Sequence, residues 1–259
     1  MREKFKIQSR KMKFSGFDSS QLDAILEFPS GIAPQQYVIV SHCFTCSKQT
    51  LTTARLSRGL AQAGLAVLRF DFTGLGESEG GFADTHFSSM VKDIECAADW
   101  LSAHCEPASI LIGHSMGGTA SLAAVQNACA SLSRVKKIIT LASPANPAHV
   151  LHHFGSAMDK LKRGESAQIR VAGQAYPIKP GFIDDVESYD MEKQMRGCEK
   201  SIMAIRAGED GLIGPQDAEQ ILKYTESDSL LCEVGGADHL FSDRNHAALL
   251  LSYVLDWIV

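Results

Sequence analysis

Short apolar runs alternate along this chain with stretches in which apolar residues return every three or four positions. Gln36-Tyr37-Val38-Ile39-Val40 is rich in β-branched residues, as a strand buried on both faces requires. Leu51, Leu56, Leu60 and Ala63 follow at helical spacing, and Gly64 ends the helix they predict. The same couplet then recurs. Further strands are predicted over 66–70, 109–112, 137–141, 201–205 and 229–234, and further helices over 87–104, 117–130, 215–224 and 245–258. Such alternation predicts right-handed strand–helix–strand units on a mostly parallel, doubly wound sheet with helices on both faces.

The rhythm breaks between about 144 and 197. Prolines and glycines punctuate that stretch, charges gather at Asp184, Asp185 and Glu187, and residues 168–178 suggest a hairpin turning at Gly173 and Gln174. A connection this long is usually functional, often a lid. We expect a single domain over 1–259 with a small cap inserted over 145–195.

Composition narrows the picture. The net charge of -5 and the lack of a basic block argue against a nucleic-acid partner. No apolar run approaches the ~20 residues of a membrane helix, so no membrane span is expected. The start, Met1-Arg2-Glu3-Lys4-Phe5-Lys6, is charged and lacks the apolar core of a secretory signal. Seven cysteines, an odd count spread along the chain, fit reduced thiols in a cytoplasmic protein better than a disulfide framework.

The chemistry enters at Gly113-His114-Ser115-Met116-Gly117, a G-x-S-x-G string. An apolar strand runs into it and a helix of small residues, Gly118-Thr119-Ala120-Ser121, leaves it. That strand–turn–helix is what a nucleophile elbow needs: a tight turn exposes the serine, and small neighbours let it close. On these residues the chain resembles the α/β-hydrolase superfamily, from about Gln21 onward. The resemblance implies Ser115 as nucleophile, with an acid and then a histidine following it in chain order.

Beyond the strand over 201–205 comes Arg206-Ala207-Gly208-Glu209-Asp210-Gly211-Leu212-Ile213-Gly214-Pro215, which resembles the superfamily's acid-bearing loop. Asp210 is the candidate acid, and Glu209 is its adjacent rival. Beyond the last strand, Gly235-Gly236-Ala237-Asp238-His239 looks like the histidine loop, with His239 as base. His246 falls inside a predicted helix and is read as packing or surface.

The strand ending near Ser41 leads into His42-Cys43-Phe44-Thr45-Cys46-Ser47-Lys48. In the superfamily this loop supplies one oxyanion N–H, which falls on Phe44, and the residue after the nucleophile, Met116, supplies the other. Cys43 stands where relatives usually carry glycine, so Cys43, with His114, is expected on the wall of the substrate pocket. Cys43 and Cys46 also spell C-x-x-C, a spacing open to a redox pair or half a metal site. No second pair completes a zinc site, and two free thiols is the reading preferred here.

The whole phrase 42–48, with Asp71-Phe72-Thr73-Gly74-Leu75-Gly76-Glu77-Ser78 and Ala148-His149-Val150-Leu151, is similar to the hydrolase part of bacterial fusions with an OsmC-like peroxide-reducing domain. This sequence ends after the hydrolase part, so peroxide reduction is not expected of it. Asp71–Ser78 reads as a structural turn tied by Asp71. His149, His152 and His153 read as one face of a lid helix rather than metal ligands. The expected activity is hydrolysis of a small-molecule acyl substrate, an ester above all, without cofactor or metal. A thioesterase, a peptidase, a carbon–carbon bond hydrolase and a ligand-binding protein of low turnover are the alternatives.

Overall fold

The computed structural model describes residues 4–171 and 173–258. The reading of the charged N-terminus falls partly on Met1, Arg2 and Glu3, which lie outside the described residues, as does Ala172 in the expected hairpin turn. In chain order come β1 (Ile7–Ser15), β2 (Gln21–Pro29), β3 (Tyr37–Ser41), α1 (Leu51–Gln62), β4 (Ala66–Phe70), α2 (Phe87–His104), β5 (Ile110–His114) and α3 (Met116–Ala124). After β6 (Lys137–Leu141) the inserted stretch holds α4 (Ala157–Lys162), β7 (Ala167–Val171), β8 (Gln174–Ile178), α5 (Gly181–Glu187) and α6 (Met191–Gln194). The rhythm then resumes with β9 (Ser201–Ala207), α7 (Pro215–Leu222), β10 (Ser229–Val234) and α8 (Arg244–Ile258).

Eight strands form one sheet in the order β1-β2-β4-β3-β5-β6-β9-β10. Neighbours from β4 through β10 run parallel, while β1–β2 and β2–β4 are antiparallel. The strand runs bury both faces. Val38, Val40, Ile110 and Ile112 pack with Leu56 and Leu60 of α1 and Leu250 and Val254 of α8. Ile39 and Leu111, between them in sequence, pack on the other face with Ile94 and Ala98 of α2 and Leu122 of α3. This is the α/β-hydrolase fold, doubly wound as expected.

Three details differ from the sequence reading. The N-terminal hairpin β1–β2 was not expected as strands, because its edge strand exposes Arg10, Lys11 and Lys13 and carries little apolar signal. α3 stops at Ala124 instead of reaching 130, where polar Gln126 and Asn127 turn outward and Asn127 Nδ2 donates to Glu95 Oε1 at 2.6 Å. The three histidines lie on a short 3₁₀ helix, Pro147–His153, capped by Asn146, instead of an α-helical lid. The expected hairpin forms as β7 and β8, with Gln174 inside the second strand.

Lys48 organises the turn after β4. Its ammonium is fully buried, 2.7 Å from Asp23 Oδ1, 2.6 Å from Asp71 Oδ2 and 2.9 Å from Glu77 Oε2. Burial alone would lower its pKa, but the three carboxylates outweigh it and hold the pKa above the ordinary value. Asp71 also accepts the N–H groups of Lys48 and Glu77. The turn is thus tied by Asp71, as expected, and the same ion cluster anchors the loop that runs from β3 to α1.

Candidate active site

Ser115 sits between β5 and α3 with φ 54° and ψ -127°, a conformation unfavourable for a residue with a side chain. Its N–H donates to Leu141 O at 2.8 Å, which fixes the turn against β6. The neighbouring glycines are sterically required. A Cβ on Gly113 would lie 2.3 Å from Gly117 O, and one on Gly117 would lie 2.3 Å from His42 O. The second clash shows that the elbow packs backbone to backbone against the loop after β3. Met116 is the first residue of α3, so its N–H points out of a helix N-terminus toward the site.

Asp210 and His239 come from different loops, 29 residues apart, yet meet. The loops after β9 and β10 are joined by Gly208 N–H to Val234 O and Glu209 N–H to Ala237 O, both 2.9 Å. His239 Nδ1–H donates to Asp210 Oδ2 at 2.8 Å. The other Asp210 oxygen accepts Leu212 N–H at 2.8 Å and Ile213 N–H at 3.0 Å. Burial raises the Asp210 carboxyl, but the His239 hydrogen bond and charge and the two N–H donors outweigh it, so its pKa lies below the ordinary value. Its exposed neighbour Glu209 is not drawn into this contact.

The loop after β3 is held from within. His42 is fully buried, Nδ1–H donates to Cys43 O at 2.8 Å and Nε2 accepts Phe72 N–H at 3.2 Å. That pairing requires the neutral ring, and burial lowers its pKa accordingly. Cys43 and Cys46 are joined by a disulfide. The reading of two free thiols is therefore corrected, and with both sulfurs bonded the pair offers no thiolates to a metal. The spacing alone did not decide this, because whether two cysteines three apart can bond depends on the turn between them. Cys43 lines the cavity described below. His114 does not: it is buried behind His239, where Nε2–H donates to His239 O at 2.7 Å.

Ser115, His239, Phe44 and Met116 face one cavity of about 640 Å³. Among the described residues, neither the Phe44 nor the Met116 N–H meets a protein acceptor. The inserted stretch closes the other side with Val150, His153, Phe154, Arg170 and Val171. Tyr176 of β8 reaches across, its hydroxyl 3.0 Å from Thr45 O and 2.7 Å from Gln174 Oε1, two acceptors that share its one proton. Sequence reasoning missed this latch and the ring column Phe44–Phe182–Phe154, spaced 5.6 Å at each step. No periodicity marks such residues; the hairpin was the one available signal. His149 faces the cavity too, held by Nε2–H to Leu212 O at 2.9 Å. Ser115 Oγ is not hydrogen-bonded to His239, although both face the cavity; a carboxylate-held imidazole, a serine hydroxyl and two N–H groups without protein acceptors are the parts that acyl transfer needs.

The family described as serine aminopeptidase, S33, matches residues 33–248. Among solved structures, the chain is similar to the esterase domain of a Rhodothermus marinus protein, 32% identical over 96% of this chain and 97% of that one, with a TM-score of 0.78. It is also similar to a putative hydrolase from Agrobacterium vitis S4, 18% identical over 98% and 100% of the two chains, with a TM-score of 0.81. Est1E from Butyrivibrio proteoclasticus, seen with ferulic acid, is 18% identical over 95% and 97%, with a TM-score of 0.78. At 18% identity the likeness shows the fold. No curated protein matches. No helix among the described residues is long and apolar enough to cross a membrane.

Proposed function

Because the chain belongs to the serine aminopeptidase, S33, family of α/β-hydrolases, we propose that it is a serine hydrolase cleaving a small carboxylic ester through Ser115, His239 and Asp210. Ser115 Oγ attacks the acyl carbonyl while His239 Nε2 takes its proton. Asp210 holds the ring through Nδ1–H and stabilises the imidazolium. The Phe44 and Met116 N–H groups receive the oxyanion. His239 returns the proton to the departing alcohol, and a water activated the same way releases the acid.

The observation that carries this reading is the Nδ1–H to Asp210 hydrogen bond of 2.8 Å behind a histidine that shares its cavity with a serine at φ 54°. The ester is favoured over an aminopeptidase substrate by the cavity's charges. An α-ammonium group is best met by several acidic groups, and Asp238, already tied to Ser242 through both oxygens, is the one carboxylate on the described cavity wall. The esterase domain at 32% identity points the same way. We read the inserted stretch as a cap that shapes the acyl side.

Ser115→Ala is expected to abolish turnover of p-nitrophenyl esters of graded chain length, a loss of ~10⁴ or more, with the fold intact. A fluorophosphonate probe should label the wild type at Ser115 and leave the variant unlabelled. Labelling of another serine in the variant overturns the assignment.

A further inference from the structure

We propose that the Cys43–Cys46 disulfide is a thiol–disulfide exchange site, opened by a small dithiol, that governs whether the Phe44 N–H is held for the oxyanion. Only its consequence for turnover rests on the serine-hydrolase reading above.

The bond spans the turn that carries Phe44. Cys46 N–H donates to Cys43 O at 3.1 Å, and the same carbonyl accepts His42 Nδ1–H at 2.8 Å. Inside the turn, Thr45 has φ 63°, a left-handed conformation disfavoured for a β-branched residue. A covalent clamp across the turn therefore opposes the backbone's own preference. The clamp is also open to reagents. Both cysteines line the cavity, and Cys46 is half-buried where Cys43 is 4% exposed.

The rest of the chain does not compete for this chemistry. Burial pushes up the thiol pKa of Cys96, to about 11, and raises those of Cys105, Cys129, Cys198 and Cys232 as well. Such thiols stay protonated and exchange slowly.

The exchange balances as follows. One thiolate of the dithiol attacks Cys46 Sγ, the S–S bond breaks, and its electron pair leaves on Cys43 Sγ, which takes a proton. The reagent's second thiolate then attacks its own first sulfur and releases Cys46 as a thiolate, which is protonated in turn. The dithiol becomes a cyclic disulfide, and two electrons and two protons pass to the pair.

Once the bond is cut, Thr45 is free to leave its left-handed conformation, and the Phe44 N–H loses its fixed direction. The Tyr176 contact to Thr45 O loosens with it, so the change reaches the β7–β8 hairpin. One oxyanion donor is worth ~10²–10³ in turnover, and a mobile donor retains part of that.

The test uses the full chain purified without reductant, then treated with dithiothreitol, then reoxidised with diamide. Peptide mass mapping counts free Cys43 and Cys46 at each stage. kcat and KM on a p-nitrophenyl ester are measured alongside hydrogen exchange at the amides of 43–46. The expected result is a pair oxidised at the outset, a reversible fall in kcat of about ten-fold or more with KM less affected, and faster exchange at Phe44 and Thr45. Cys46→Ser and Cys43→Ser, each confirmed by a cooperative melt, should resemble the reduced wild type and ignore dithiothreitol. A pair found as free thiols at the outset overturns the proposal. So does complete reduction that leaves kcat and amide exchange unchanged. If no ester is turned over and Ser115 takes no fluorophosphonate, the hydrolase reading fails instead, and the mass and exchange measurements still decide the disulfide.

Discussion

Glu209 and Asp210 are adjacent carboxylates in different surroundings. Glu209 is exposed, while Asp210 faces His239 and takes two loop N–H groups on its other oxygen. Asp210→Asn should cut kcat on esters by ~10⁴, because an amide cannot hold the ring in the proton-donating Nδ1 tautomer. Glu209→Gln should stay close to wild type, and steady-state assays of the two variants decide the matter. His114 offers a second test. Burial, with the nearby charge of His239, pushes its pKa down to about 3. Unfolded, it titrates near 6.5, so the denatured chain binds the proton first. Its contribution to stability is therefore complete above about pH 6.5 and drains as pH falls toward 3. His114→Phe removes the donor to His239 O, worth ~1 kcal/mol, and should lower kcat about five-fold. His114→Gln, which keeps an N–H, should restore most of that rate. Both variants should lose part of the acid slope in urea melts compared at pH 7 and pH 4.5.

The strand–turn–helix around Ser115 works as one piece because its glycines let three backbones touch. Gly117→Ala would drive a Cβ into the carbonyls of His42 and Ser41, 2.3 and 2.8 Å away, and displace the loop that carries Phe44. Strand and helix themselves need not melt. We expect ester turnover to fall at least ~100-fold, as when an oxyanion donor is lost, with the far-ultraviolet circular dichroism little changed. Gly235→Ala, whose added Cβ meets nothing within 4 Å, is the matched control and should keep the far-ultraviolet spectrum. Such elements were the most legible part of the sequence. β4, α2, β6 and β10 begin and end where the apolar pattern puts them. β1 was illegible because an edge strand exposes its polar face and needs no apolar alternation. The inserted helices were illegible because α4 to α6 are too short to show a period.

Across the molecule, the sheet separates two cores, and polar groups buried between them bind distant loops together. Lys48 is the clearest of these, with its ammonium among carboxylates from β2, from the end of β4 and from the turn that follows. Lys48→Met would leave Asp71, fully buried, without its counter-charge. We expect a loss of about 3–5 kcal/mol, the cost typical of breaking a buried ion pair from one side. A thermal melt at neutral pH checks it. A melting temperature within a degree or two of wild type means that the cluster adds nothing to stability.

The alternation of apolar runs with helical spacing already specified a doubly wound α/β sheet, since burial on both strand faces leaves a local trace. The serine's turn was equally local, because G-x-S-x-G between a strand and a helix is contained in a few consecutive residues. Loop position after successive strands singled out Asp210 and His239. Their contact, across 29 residues, exists because β9 and β10 are neighbours in the sheet. His114 reaching His239 across 125 residues, and Tyr176 reaching Thr45 across 131, depend on sheet order and on how the insertion folds back. The Cys43–Cys46 bond is the sharpest case. Its two residues are three apart, yet bonding rather than free thiols follows from a tight turn closed by Cys46 N–H to Cys43 O, with the His42 ring on the same carbonyl. Periodicity records which residues must leave water, whereas pairing between particular atoms is set by where the packed elements bring them.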